Sequence, residues 1–216
     1  MTEKPTIAIL GGTGKEGTGL ALRWASNGYD VIIGSRQEEK ALRVTGELNE
    51  ILGEDLISGM ENGPAARAAD INVLTVVAAA HQSAVTSLKD DLQGKILIDA
   101  TARIEFPKPK PPEPPSAARI AQDILGEDVQ VVAAFQNIPA SALKNLDKDL
   151  DSDVLVCADD QEAAEQVGEL IRGAGMNAYY AGDLDIAVTV EGLTAVLVYI
   201  NKYNDIKHAS IKIVGT

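Results

Sequence analysis

Near the amino terminus, the segment Gly11-Gly12-Thr13-Gly14-Lys15-Glu16-Gly17 has the residue types and spacing to hold a phosphate chain. In Gly12-x-Gly14-x-x-Gly17, glycine stands where a tight turn, a close backbone approach to pyrophosphate and tight helix-on-strand packing leave no room for a side chain. A helix that opens at such a loop also turns unpaired N–H groups and a positive dipole end towards the anion. The apolar run Thr6-Ile7-Ala8-Ile9-Leu10 precedes the loop, and a helical pattern from Gly17 to Asn27 follows it. The fingerprint therefore opens a βαβ unit and is not an isolated glycine turn.

A second cluster closes the next β-branched run, Asp30-Val31-Ile32-Ile33-Gly34. Sites for NAD generally carry an acidic residue here, which accepts the ribose hydroxyls. This chain has Ser35 and Arg36 instead, with Lys40 one helical turn beyond Arg36. A guanidinium pairs with a phosphate through two parallel hydrogen bonds, and a serine hydroxyl adds another. The pattern predicts NADP(H), its adenosine 2′-phosphate held by Ser35, Arg36 and Lys40. The competing arrangement pairs Arg36 with Glu38 or Glu39.

Acids and bases are sparse elsewhere. His81 follows a strand end near the expected nicotinamide, and reads either as a catalytic candidate or as a helix-opening residue without chemistry. His208 reads as a surface residue at a polar helix end. Tyr203 and Lys207 have the Tyr-x-x-x-Lys spacing of short-chain dehydrogenases, but they lie outside the sheet core, where a coincidence at a helix end explains them. Cys157, the only cysteine, rules out an intramolecular disulfide, and its run Val154-Leu155-Val156-Cys157 reads as a strand with a small buried hydrophobe rather than a nucleophile. No metal-ligand cluster is visible, so no metal is expected. Such a site suits hydride exchange between two stacked rings, where positioning supplies most of the rate.

The elements that must position these groups alternate between β-branched runs and helical patterns, the mark of a parallel sheet covered by helices. Beyond the first two strands, strands are predicted around Leu56 to Met60, at Asn72 to Val77, Lys95 to Asp99, Val129 to Ala134, Asp153 to Cys157 and Asn177 to Ala181. Helices are predicted from about Glu38 to Leu52, at Ala65 to Ala69, Ser116 to Leu125, Gln161 to Arg172 and Leu184 to Asn204. In the last of these, Ile186, Val190, Leu193, Leu197 and Ile200 form one apolar stripe. Phe106 to Pro115 holds six prolines in ten residues, which forbids helix and ladder alike. Because the strand pattern resumes beyond it, the stretch reads as a stiff loop between two strands of one sheet. The fold class is α/β, a Rossmann doubly wound parallel sheet over residues 1–142 with a small C-terminal α/β appendage over 143–216.

The bulk properties exclude several classes. A formal charge of −13, from 19 basic and 32 acidic side chains, repels a phosphate backbone, so no nucleic-acid partner is expected. Met1 to Thr6 lacks the apolar core of a signal peptide, and no apolar run approaches the roughly 20 residues of a membrane span. A cytoplasmic protein without membrane contact is the expectation.

With Gly11-Gly12-Thr13-Gly14 and Gly34-Ser35-Arg36-x-Glu38-Glu39-Lys40, the chain resembles the deazaflavin-dependent NADP oxidoreductases, also called NADPH-dependent F-420 reductases. The resemblance continues through Leu74-Thr75-Val76, Asn137-Ile138-Pro139-Ala140, Asn145-Leu146-Asp147, Asp153 to Cys157, Val190-Glu191-x-Leu193-Thr194 and Ile211-Lys212-Ile213. It implies a Rossmann domain with a small C-terminal domain, usually dimeric, that passes hydride between NADPH and C5 of the deazaflavin. Thr13, Gly14, Lys15 and Glu16 would hold the phosphates, and Ala140 would meet the nicotinamide carboxamide. Thr75, Val76 and Val77 complete the expected cofactor set. Gln136, Ile138 and Pro139 would line the acceptor, with Ala79 on the facing wall.

The chain departs from the family at Gln136, where histidine is frequent, at Ala78-Ala79-Ala80, where an aromatic is usual, and in its proline-rich loop. Glu191 and Thr194 share a helix face, and two readings stand for them: both point into the cleft, or Glu191 pairs across a dimer interface while Thr194 packs in the core. The acceptor is expected to be a deazaflavin or a related flavin. The alternative is a non-catalytic NADP(H) sensor.

Overall fold

The computed structural model describes residues 4–105, 107–148 and 150–215. Met1, Thr2 and Glu3 of the leader reading, and Phe106 at the head of the proline-rich stretch, lie outside the described residues. In chain order the elements are β1 (Ile7–Leu10), α1 (Lys15–Ser26), β2 (Val31–Ser35), α2 (Glu38–Leu52), β3 (Ile57–Glu61), α3 (Asn62–Ala68), β4 (Ile71–Leu74), a 3-10 turn (Ala78–Ala80) and α4 (His81–Ser87). There follow β5 (Ile96–Asp99), α5 (Ala117–Leu125), β6 (Gln130–Ala133), α6 (Ala140–Leu143), β7 (Asp153–Ala158), α7 (Gln161–Gly173), β8 (Asn177–Gly182) and α8 (Ala187–Tyr203).

All eight strands join one sheet in the order β3-β2-β1-β4-β5-β6-β7-β8. Every pairing is parallel except β7 against β6. The near-continuous apolar strands follow from burial on both faces. One face presents Ile7, Ile9, Ile33, Val73 and Ile98 to side chains of α1, α2 and α7. The other presents Ala8, Leu10, Ile32, Leu97 and Val131 to α3, α4, α5 and the start of α8.

Several boundaries differ from the sequence reading. The fourth strand ends at Leu74, not Val77: Thr75 still donates its N–H to the Leu10 carbonyl, and the chain then turns over the glycine loop. Residues 78–87 are helical, a segment whose alanine run offers no polar–apolar alternation to read. On α8 the buried face carries Ala187, Val190, Glu191, Gly192 and Ala195; of the expected stripe Val190 is buried, Leu193, Leu197 and Ile200 are half-buried, and Ile186, just before the helix, is exposed. The sheet runs unbroken across the expected 142/143 boundary, because β7 joins the edge of β6. The proline-rich stretch does connect two neighbouring strands, β5 and β6, by way of α5.

Candidate functional site

Parallel pairing brings the carboxyl ends of β1, β2, β4, β5 and β6 to one edge of the sheet, where open α/β folds form their ligand cleft. Each expected site residue lies on this edge or on α8. The glycine loop is built by close contact. A Cβ on Gly17 would stand 2.6 Å from the Gly12 backbone, and one on Gly12 would stand 2.5 Å from the Ile9 carbonyl oxygen. A Cβ on Gly14 would meet nothing, so this glycine faces open space at the N-cap of α1. Helix geometry leaves the N–H groups of Lys15, Glu16 and Gly17 without intrahelical acceptors, directed at that space. The loop therefore has the tight fit below and the opening above that a pyrophosphate requires.

β2 is fastened to this loop by the Gly12 N–H, which donates to the Gly34 carbonyl at 3.0 Å. Asn62, at the start of α3, accepts from the Gly11 N–H through Oδ1 at 3.0 Å. Ser35 is buried and its hydroxyl accepts from the Gln37 N–H, whereas Arg36 and Lys40 are exposed. Among the described residues neither cation has an ion-pair partner, so Arg36 does not pair with Glu38 or Glu39. Two free cations beside a serine at this strand end suit a phosphate monoester.

Past β4, Thr75 and Val76 are half-buried, and the Val76 methyl closes on Gly11. Val77, Ala78 and Ala79 are exposed. Across from them Phe135, two residues past the end of β6, has φ +74°, a left-handed conformation that a bulky residue adopts only where its surroundings impose it. Its ring is locked edge-on against Trp24. The turn that follows, Gln136 to Pro139, is clamped on three sides. The Thr194 hydroxyl donates to the Gln136 carbonyl at 2.8 Å, Asn137 Nδ2 donates to the Val190 carbonyl and to Thr194, and Gln136 Nε2 donates to the Asp99 carbonyl. Ile138 is buried, and Pro139 and Ala140 are half-buried at its end. Buried Arg23 of α1 holds the next stretch by donating to the carbonyls of Leu143, Asn145 and Lys148.

Sequence reasoning missed Asp99. It is fully buried at the end of β5, and its Oδ2 lies 2.6 Å from His81 Nε2. The Thr101 N–H donates to its other oxygen. Glu16, half-buried on the first turn of α1, is pushed up to about 8 by burial and by the nearby Asp99 carboxylate. The aspartate ending the strand Ile96-Leu97-Ile98-Asp99 was the available signal: an acid closing an apolar parallel strand lies on the ligand edge. The edge is therefore richer in ionisable groups than its sequence suggested.

Glu191 is buried in the chain's own interior. It accepts from the Ala117 N–H and from Arg103 Nε at 3.0 Å, which caps α5 and pins the start of the proline-rich loop to α8. Burial raises its pKa against the opposing pull of the Ala117 N–H and Arg103. Its partner is thus internal, which corrects the pairing expected across an interface. Thr194 faces the Gln136 turn and acts there as a brace. Tyr203 ends α8 exposed, stacked on Tyr199, with Lys207 beyond the helix; this pair is no catalytic dyad. His208 is exposed, as a surface residue should be, and its Nδ1 lies 2.9 Å from the Ser141 hydroxyl of α6. Cys157 is fully buried, and its thiol is pushed up to about 11 by burial and Asp183, which removes it as a nucleophile. No helix among the described residues is long and apolar enough to cross a membrane. Among the same residues no cluster of histidine, cysteine and acidic side chains could hold a metal ion.

A doubly wound sheet, a glycine loop open at Gly14 and unpaired cations beyond β2 define a Rossmann-type NADP-dependent oxidoreductase. Residues 6–103 match the family described as NADP oxidoreductase, coenzyme F420-dependent. The F420-dependent NADP reductase of Methanothermobacter thermautotrophicus is 39% identical over 96% of this chain and 94% of its own. That of Methanocaldococcus jannaschii is 38% identical over 96% of this chain and 97% of its own. The crystal structure of a putative F420-dependent NADP reductase from an Arthrobacter species shares the fold, with TM-score 0.83 and 24% identity over 98% of this chain and 100% of that one. The chain belongs to the coenzyme F420-dependent NADP oxidoreductase family.

Proposed function

We propose that this protein transfers hydride between NADPH and a deazaflavin of the F420 type, working as a cytoplasmic homodimer. The observation that carries the reading is the arrangement of the ligand edge: a phosphate cradle and free cations at one end, and an alanine wall facing an Ile138-Pro139 step at the other. NADP(H) lies along β1 and β2, its pyrophosphate on residues Thr13 to Gly17 and its 2′-phosphate on Ser35, Arg36 and Lys40. Thr75, Val76 and Val77 border the nicotinamide half, and Ala140 meets the carboxamide. Ala79 and the turn Gln136, Ile138 and Pro139 face each other across the acceptor.

Hydride passes from the dihydronicotinamide to C5 of the deazaflavin, and a proton from solvent completes the reduction. The chain contributes position and exclusion of water. Asp99, Thr194 and Asn137 fix the Gln136 turn, Arg23 fixes the stretch after α6, and the exposed alanines leave room for a flat ring. Such preorganisation converts an encounter of two molecules into a step within one complex. The sensor reading has no observation in its favour, since the near-full-length relatives are named reductases.

Stopped-flow mixing of NADPH-loaded protein with oxidised deazaflavin tests the proposal. The expected result is loss of NADPH absorbance matched one-for-one by deazaflavin reduction. Tight NADPH binding with no turnover of any deazaflavin or flavin would overturn it.

A further inference from the structure

Glycine within a helix is less stable than alanine, because it gives up more backbone freedom on folding and packs no side chain. Gly19 stands inside α1, outside the Gly12-x-Gly14-x-x-Gly17 fingerprint, and is buried. What it meets there is α6, the short helix that follows the acceptor turn. A Cβ on Gly19 would stand 2.4 Å from Leu143 Cβ and 3.3 Å from its Cδ1. A change of rotamer can move Cδ1 but not Cβ, so only the backbone of one helix or the other could give way. The same flank of α1 holds the rest of the segment. Arg23, one turn on from Gly19, donates to the carbonyls of Leu143, Asn145 and Lys148. The Trp24 ring meets Phe135 edge-on with centroids 5.9 Å apart, and its Nε1 donates to the Leu170 carbonyl of α7. The Phe135 carbonyl in turn accepts from the Ile138 N–H at 3.0 Å, which closes the acceptor turn.

We propose that Gly19 is a positioning residue for hydride transfer: by letting α6 rest directly on α1, it sets the distance between the two reacting rings. The proposal rests on the NADPH–deazaflavin reading above and names the contact that fixes the spacing within it. In that reading the head of α1 holds the pyrophosphate, and its flank holds the turn that lines the acceptor. Lys15 at the head and Gly19 on the flank are separated by about 6 Å of helix. Both ligands are thus referred to one rigid body. Leu20, Leu22 and Trp24 are fully buried and fix α1 in the core. A methyl at position 19 therefore displaces α6, and with it Pro139 and Ala140, rather than the cofactor. Relieving the 2.4 Å overlap to an ordinary contact takes a retreat of about 1 Å, a displacement that can cost about 100-fold in rate.

Single-turnover stopped-flow mixing of NADPH-loaded protein with oxidised deazaflavin tests this, with C4-deuterated NADPH marking the hydride step by its isotope effect. Gly19→Ala should slow that step about 100-fold while the Kd of NADPH stays within a few-fold of the parent. Leu125→Ala is the control for lost packing: it empties a buried position at the end of α5, on the other face of the sheet. That variant should lower the thermal unfolding temperature and leave the hydride step unchanged. If Gly19→Ala does not fold, Arg23→Lys decides, since it loosens the hold on α6 without adding bulk. It too should slow the hydride step and spare NADPH binding. Unchanged transfer in folded Gly19→Ala, or in Arg23→Lys where that variant does not fold, would overturn the proposal. So would an equal loss in Leu125→Ala, or an NADPH affinity that falls as far as the rate. A parent that binds NADPH and reduces no deazaflavin would instead remove the functional reading, and this proposal with it.

Discussion

Asp99 and His81 meet carboxylate to imidazole, Oδ2 to Nε2 at 2.6 Å, where β5 ends and α4 begins. Neither side chain reaches solvent to any useful extent. The same aspartate accepts from the Thr101 N–H, and its carbonyl accepts from Gln136 Nε2. One residue thus ties together three segments of the ligand edge. Asp99→Leu would leave the His81 ring and the Thr101 N–H buried without their partner. Leaving a buried donor without its partner costs about 1–3 kcal/mol. Urea unfolding should show a loss of that size, and a loss under about 1 kcal/mol would mean that the pair does not hold the edge together.

Arg36 is expected to discriminate between the two nicotinamide nucleotides. A hydrogen bond to a charged group contributes about 1.5–3 kcal/mol, so Arg36→Ala should weaken NADPH binding roughly 10- to 100-fold. NADH lacks the 2′-phosphate, and its affinity should barely change. Titration of both nucleotides against the variant checks this, and equal losses would make Arg36 a structural residue.

The assembly prediction rests on α8. Val196, Tyr199 and Tyr203 are exposed at helical spacing, with the two tyrosine rings stacked 5.7 Å apart. Three such side chains on one helix face are the surface on which we expect the dimer contact. Light scattering should give twice the chain mass, and Val196→Glu should shift the protein towards monomer. A concentration-independent monomer in the parent would remove the dimer.

Much of this edge was legible in sequence because it is local. The glycine loop and the Ser35-Arg36 pair each sit within one turn and declare their geometry through residue type. Contacts between distant segments left no such trace. Asp99 reads as the last residue of an apolar strand, and only the β4-β5-β6 register brings it to His81 and Gln136. Glu191 reads as an intruder in an apolar helix, yet it caps α5, some seventy residues earlier in the chain. The break near residue 143 looked like a domain boundary because the parallel strand rhythm lapses there; an antiparallel step onto β7 lets the sheet continue regardless.

The acceptor slot yields the most direct test of function. Ala79 is exposed on the 3-10 turn after β4, and Ile138 closes the turn after β6, so the two walls rise from strand ends of the same sheet edge. Hydride transfer needs its two carbons within roughly 3–3.5 Å, a separation that an added indole between the walls would prevent. Ala79→Trp and Ile138→Trp should therefore each abolish acceptor reduction while NADPH affinity stays within a few-fold of the parent. Ile138 is buried, so its variant is to be compared with the parent by thermal unfolding before the rates are read; Ala79, being exposed, carries no such penalty. Steady-state reduction of a deazaflavin, with NADPH binding followed in parallel by fluorescence, separates the two effects. Full turnover in both folded variants would place the acceptor on another part of the molecule.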